Sequence, residues 1–361
     1  MTVAITGARI LLDDGFAEGM ALRVEGERIA GLVPAGAVPP SDERVDAGGL
    51  TLLPGFVDVQ NNGGGGVLFN DDPTVEAIAA IAAAHRRFGT TGFLPTLISD
   101  DLHAVRRAVA AVDEAIERGV PGVLGIHIEG PFLNADRHGI HDPAKFRDLD
   151  EEGFAAVTAL RRGRALVTLA PERTTPAMIR RLAAAGVVVA AGHTDGTYRE
   201  IREALDNGLT GFTHLFNAMS PLTSREPGAV GAALEDVRSW CGLIVDGRHV
   251  DPVTLRLALR CRPPDRFMLV TDAMPSVGMA DKRFTLQGHE VTVVDGVCVN
   301  ADGTLAGADL DMALALRNAV AMLELPLERA SRMASRNPAE FLGLGDRIGR
   351  IAAGFRADFV L

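Results

Sequence analysis

A chain of 361 residues with 47% apolar residues and 40 glycines is too long for a minimal domain and suits one large α/β unit with a small satellite. Its 36 basic and 47 acidic residues leave a net charge of −11. That balance excludes nucleic-acid wrapping, which rests on Lys and Arg neutralising phosphates, but leaves room for a small phosphorylated ligand held by one Arg or His.

Cys241, Cys261 and Cys298 show no CxxC spacing and no even framework, so they read as buried small apolar residues of a reducing compartment. No basic segment followed by an apolar run opens the chain, and Asp13, Asp14 and Glu18 interrupt the one candidate stretch. The apolar runs are too short to cross a bilayer. A soluble, cytoplasmic protein with no membrane partner is expected.

Residues 1–50 predict short strands at 3–5, 21–24 and 28–32, punctuated by Gly, Pro and Asp and closed by Gly48 and Gly49. From residue 51, apolar strand-like runs recur at 52–60, 91–97, 123–129, 166–171, 187–193, 211–216, 241–245 and 267–272. Between them lie segments of helical spacing, including 75–88, 101–118, 177–186 and 252–259. Eight near-continuous apolar strands alternating with helices predict a closed (β/α)8 barrel of the TIM type rather than an open sheet. The absence of GxGxxG after the first run weighs against the dinucleotide-binding form of a doubly wound sheet.

Runs at 284–286, 290–294 and 296–299 alternate around Gly288 and Asp295-Gly296, which predicts a β-hairpin insert near 283–300. The final stretch, 349–361, turns at Gly354 and ends in an apolar run. The expected organisation is a small β-sandwich domain built from both termini, 1–50 and 341–361, around a barrel at 51–340.

Active sites of such barrels form at the C-terminal ends of the strands. Those ends carry Gln60 and Asn62, then Glu129, His193, His214, Asp246 and Asp272. Each has an ordinary reading: Glu129 as a helix cap, either histidine as a satisfied core residue, Asp272 as a turn former. Two His and one Glu at equivalent strand ends point instead to a metal, because imidazole and carboxylate suit Zn2+ or Fe2+ and leave positions open for water. Asp272 then reads as the base that takes a proton from water acidified by the metal.

Several motifs carry a resemblance. Pro54-Gly55-Phe56-Val57-Asp58 and the closing GRIAAGFRADFVL resemble the amidohydrolase superfamily, and DVQNNG, HIEGPFLN, GHTDG, THLFNAMSPL, DGRHV, VTDAM and TLAG closely resemble N-acetylglucosamine-6-phosphate deacetylases. Most of the superfamily carries HxH after the first strand, where this chain has Gln60 and Asn62. Amides bind transition metals weakly, so the resemblance implies a vestigial second-metal position and one divalent ion per subunit, Zn2+ or Fe2+, held by Glu129, His193 and His214.

The same resemblance implies that His141, rather than its neighbour His138, polarises the acetamide carbonyl. Asn217, Ala218, Arg225 and His249 match contacts to the sugar phosphate, with Arg225 or His249, or both, donated across a homodimer interface. Leu305-Ala306-Gly307 matches a loop closing over the substrate, followed here by Ala308 and Asp309 where relatives carry a small hydroxyl residue. The implied reaction is hydrolysis of N-acetyl-D-glucosamine 6-phosphate to D-glucosamine 6-phosphate and acetate. Its rivals are the galactosamine epimer, a cyclic-amide or dipeptide hydrolase with two metals, and a non-catalytic sugar-phosphate sensor. The chain stops soon after the last apolar run, so a short final strand is expected.

Overall fold

The computed structural model describes residues 2–301 and 303–361; Met1, the first residue of the expected small domain, lies outside them. Eight parallel strands make the barrel: β1 (Phe56–Asn61), β2 (Thr90–Ile98), β3 (Gly125–Glu129), β4 (Arg164–Leu169), β5 (Val188–Ala191), β6 (Leu209–Phe212), β7 (Trp240–Leu243) and β8 (Phe267–Leu269). They pair in sequence order. Nearly every residue of these strands is buried, because helices cover the outer face and side chains fill the inside.

The seam between β8 and β1 closes without a full ladder. Asp272 N–H donates to the Gln60 carbonyl at 3.0 Å, and the N–H groups of Asn62 and Gly63 both donate to the Ala273 carbonyl at 3.0 Å. Beneath them the buried Asp58 carboxylate accepts from Thr271 Oγ1 at 2.5 Å and Asn61 Nδ2 at 3.1 Å. The stitch across the seam thus lies beside Asp272 and joins the strand ends that carry the candidate site.

Helices between the strands start where a short polar side chain can satisfy free N–H groups. Thr74, Asp101, Asp150, Thr175, Thr197, Asp251 and Asp311 each cap one, and Thr197 with Glu200 forms a reciprocal capping box. Such a cap contributes about 1 kcal/mol. No helix among the described residues is long and apolar enough to cross a membrane.

The predicted run at 52–60 is two strands. Thr51–Pro54 pairs with Arg9–Leu12 and Phe359–Val360 in the small domain, and the barrel begins only at Phe56. Both halves are almost wholly buried, so hydropathy cannot separate them. The small domain has a second sheet, ordered (Arg28–Pro34)-(Met20–Glu25)-(Thr2–Thr6)-(Glu43–Asp46). The final strand is two residues long, as expected.

The insert is larger than a hairpin. Its strands β9 (Arg283–Leu286), β10 (His289–Val294), β11 (Val297–Asn300) and β12 (Leu305–Ala308) form one antiparallel sheet. Its apolar face packs Leu286, Val291, Cys298 and Ala306 onto Leu68, Ile98 and Met274 of the barrel rim. The segment expected as a loop at 305–307 is therefore a strand, pinned to the barrel where Ala308 N–H donates to the Asp272 carbonyl at 2.9 Å. Among the cysteines, Cys241 and Cys298 are buried, but Cys261 is exposed at the end of the helix Pro252–Cys261, beyond the stretch that faces the barrel.

Candidate metal centre and its pocket

Glu129 closes β3, whereas His193 and His214 each lie two residues beyond the ends of β5 and β6. Both histidines have left-handed backbones, φ +49° and +33°, a conformation costing a non-glycine residue about 1 kcal/mol. Local bonds hold them there: the His193 carbonyl accepts from Asn134 N–H at 3.0 Å, and the His214 carbonyl from Asn217 N–H at 3.0 Å. The turn swings both rings over the barrel mouth toward Glu129.

The two Nε2 atoms stand 3.1 Å apart, and Glu129 Oε1 lies 3.0 Å from that of His214 and 3.3 Å from that of His193. His193 Nδ1 faces the Arg137 carbonyl at 2.8 Å. A carbonyl only accepts, so Nδ1 holds the proton and Nε2 presents a lone pair, the tautomer in which histidines ligate metals. The site is buried, with ligand atoms of all three residues within 4.8 Å of one another. Lone pairs converging on one buried point fit a divalent cation. Burial alone would raise the Glu129 carboxyl, but the His193 and His214 rings packed against it outweigh burial and hold the group well below its ordinary value.

Asp272, φ +50°, faces this cluster. Burial first, and then the Glu129 carboxylate, push its carboxyl above the usual range. Gln60 Nε2 lies between the two acids, donating to Glu129 at 3.2–3.3 Å and to Asp272 Oδ1 at 3.2 Å. Asn62 Nδ2 donates to the same Asp272 oxygen at 2.6 Å. Amide N–H groups thus occupy the space between Glu129 and Asp272.

One cavity of about 200 Å3 is lined by Asn62, Glu129, His141, His193, His214, Asn217, Ala218, His249, Asp272, Leu305 and Gly307. His138 is exposed, and His141 is the histidine that turns in, with its ring centroid 4.3 Å from that of His193. Burial, and next the neighbouring His193 ring, push His141 well below the ordinary histidine value, so it is neutral. Asp246 is not in the metal cluster; its Oδ2 binds His249 Nδ1 at 2.6 Å and orients that ring.

Alternation along β12 puts Leu305 and Gly307 on the cavity and turns Ala306 into the core of the insert. Arg225 is exposed and outside its own chain's cavity. Asp309 takes Lys282 Nζ at 2.9 Å and Ser276 Oγ at 2.8 Å, tying the insert to the rim.

Three contributors escape motif reading. Glu172 accepts from Asn134 Nδ2, Thr194 Oγ1 and Asp195 N–H, at 3.0, 2.5 and 2.7 Å, and so joins the loops after β3, β4 and β5. His127 lies under the cluster, bonded to Thr168 at 2.7 Å and Thr96 at 3.3 Å. Ser99, at the end of β2, meets His141. Only the position of Ser99 after an apolar run is a sequence signal.

Residues 51–361 match the model of the amidohydrolase family. The chain is 42% identical to an N-acetylgalactosamine-6-phosphate deacetylase of Shewanella sp., over 98% of this chain and 90% of that protein. It is 38% identical to the N-acetylglucosamine-6-phosphate deacetylase of Homo sapiens, over 89% and 81%. The crystal structure of the N-acetylglucosamine-6-phosphate deacetylase from Pasteurella multocida superposes with a TM-score of 0.96 at 33% identity, covering 99% of this chain and 94% of that one.

Proposed function

This chain belongs to the amidohydrolase family, and from that premise we propose that it hydrolyses the acetamide of N-acetyl-D-glucosamine 6-phosphate to D-glucosamine 6-phosphate and acetate. The observation that carries the reading is the single cavity in which Glu129, His193 and His214 converge, with Asp272 and His141 on its walls. A divalent ion, Zn2+ or Fe2+ by donor type, would be held by those three residues and would supply the positive charge that acidifies water and offsets charge on the carbonyl oxygen.

The rest is work for the chain. Asp272, with its raised carboxyl, takes a proton from the attacking water and returns it to the leaving amine. His141, neutral and facing the cavity, donates a hydrogen bond to the carbonyl oxygen as charge develops there. His249, held by Asp246, and Asn217 with Ala218 receive the phosphate side, while Leu305 and Gly307 cover the sugar. The exposed position of Arg225 supports its donation from a second copy of the chain, since an arginine fork suits phosphate.

Gln60 and Asn62 favour a one-metal site over a binuclear cyclic-amide or dipeptide hydrolase, because amides are weak metal ligands and their N–H groups already satisfy Glu129 and Asp272. The galactosamine epimer is the second reading, because relatives of that name reach 42% identity. Acetate release should be measured for N-acetylglucosamine and N-acetylgalactosamine, each with and without the 6-phosphate, using metal-loaded enzyme. The expected result is fastest turnover of the 6-phosphorylated gluco-sugar, with Asp272→Asn losing turnover while keeping its metal. Preference for the galacto-sugar would replace the epimer, and full activity of the Asn variant would remove Asp272 from its role.

A further inference from the structure

The end of β2 holds His141 through a contact with a determinate direction. Ser99 N–H donates to His141 Nδ1 at 3.3 Å, and Ser99 Oγ lies 2.8 Å from the same atom. Most histidine contacts leave the tautomer open, since a hydroxyl or a ring nitrogen can play either part. A backbone N–H can only donate. An Nδ1 carrying its own hydrogen would point it at that N–H, so Nδ1 must accept. In the neutral ring the proton then resides on Nε2, which makes no protein hydrogen bond among the described residues, while the ring lines the cavity. The hydroxyl has a second acceptor, the Glu129 carbonyl, but at 3.5 Å it is much the weaker partner.

The surroundings preserve this arrangement. Ser99 and His141 are 1% and 3% exposed, so water does not compete for Nδ1. Gly130, at φ +90°, passes so close that a Cβ there would collide with the Ser99 hydroxyl. The Ser99 carbonyl accepts from Gln287 Nε2 at 3.3 Å, which fixes the strand end from the turn between β9 and β10.

We propose that Ser99 is a positioning residue that fixes His141 as the Nε2–H tautomer, so that the ring enters the reaction as a preset hydrogen-bond donor to the acetamide oxygen. The tautomer assignment stands on the geometry alone; its catalytic consequence rests on the deacetylase reading above. The ring acts as a donor and transfers no proton to or from Ser99. A merely structural serine would predict loss of folding or of metal on replacement, whereas a tautomer-setting serine predicts loss of rate with both retained.

The test uses the metal-loaded full chain with ring-15N histidine, the His141 signals being assigned by their absence in His141→Asn. Wild type should show a protonated Nε2 and an unprotonated, hydrogen-bonded Nδ1. Ser99→Ala keeps the backbone N–H at 3.3 Å but loses the closer hydroxyl contact at 2.8 Å; it should retain metal and melting temperature, show a minor Nδ1–H population absent from wild type, and lose about tenfold in kcat with KM little changed, the scale of one lost hydrogen bond. Ser99→Thr, which keeps the hydroxyl, should restore both the spectrum and the rate. An Nδ1–H or doubly protonated ring in wild type would overturn the assignment. An alanine variant with unchanged kcat would overturn the catalytic consequence. If wild type releases acetate from no sugar phosphate, the deacetylase reading fails instead, and the ring spectra still decide the tautomer.

Discussion

At the scale of single residues, burial sets proton affinity wherever charged neighbours do not outweigh it. His127 shows the rule under the metal centre. Burial lowers it from an ordinary 6.5 to about 4, and the Glu129 carboxylate only partly opposes this. As pH falls below 6.5 the unfolded chain binds a proton that the folded chain refuses until about 4. This residue therefore withdraws stability as pH falls across that window and has no such effect above it. Urea denaturation midpoints measured from pH 7 to 4 should fall less steeply in His127→Gln, which keeps a hydrogen-bonding side chain but does not titrate. An identical decline in both proteins would show that His127 does not take part. Asp272 is raised and Glu129 lowered, because burial and the Glu129 charge dominate at Asp272 while the His193 and His214 rings outweigh burial at Glu129.

At the scale of elements, the strand ends do more than stop. The chain passes the ends of β5 and β6 and turns left-handed at His193 and His214, and it does the same at Asp272 beyond β8. Those turns lift three side chains from the barrel wall into its mouth. Strand β12 depends on a comparable detail. Gly307 has φ +64°, and a Cβ there would stand 2.8 Å from the Asp272 carbonyl and 2.7 Å from the Met274 side chain. Gly307→Ala should therefore displace the β12 edge and with it the Asp272 segment, at a cost of roughly 1–3 kcal/mol in local strain. Its kcat/KM for the sugar phosphate should drop by more than its melting temperature suggests; activity equal to wild type would show that the edge shifts without moving Asp272. The same element exposes a limit of pattern reading. Leu305-Ala306-Gly307 is too short and too glycine-rich to predict as a strand, and it becomes one only because β11 and the Asp272 segment offer backbone partners.

At the scale of the whole molecule, the barrel closes where the chemistry lies. The last strand meets the first through Asp58, Thr271 and the backbone from Gln60 to Gly63, so closure and placement of Asp272 are one event. A metal bound only by the folded chain adds stability by mass action, about 2.7 kcal/mol at a hundredfold excess over Kd. Purified protein should hold one equivalent of metal per chain, and chelation should lower the melting temperature with restoration by Zn2+ or Fe2+. Two tightly held equivalents would overturn the account of Gln60 and Asn62 as occupants of the second position.

Sequence alone determined the barrel, because eight buried strands alternating with helices have a period that hydropathy records, and it singled out Glu129, His193 and His214, which the fold brings into one buried cluster, because Glu and His at buried strand ends have few other uses. It could not separate Thr51–Pro54 from β1, since both are apolar and buried for different sheets. Only the tertiary structure decided how His141, already favoured over His138 by its motif, turns into the cavity, that Asp246 serves His249, and that Ser99 directs the proton of a ring 42 residues away. Periodicity and residue type are local properties of a chain. Which face a loop histidine presents, and which of its nitrogens holds the proton, depends on contacts that exist only after distant strand ends have been brought together.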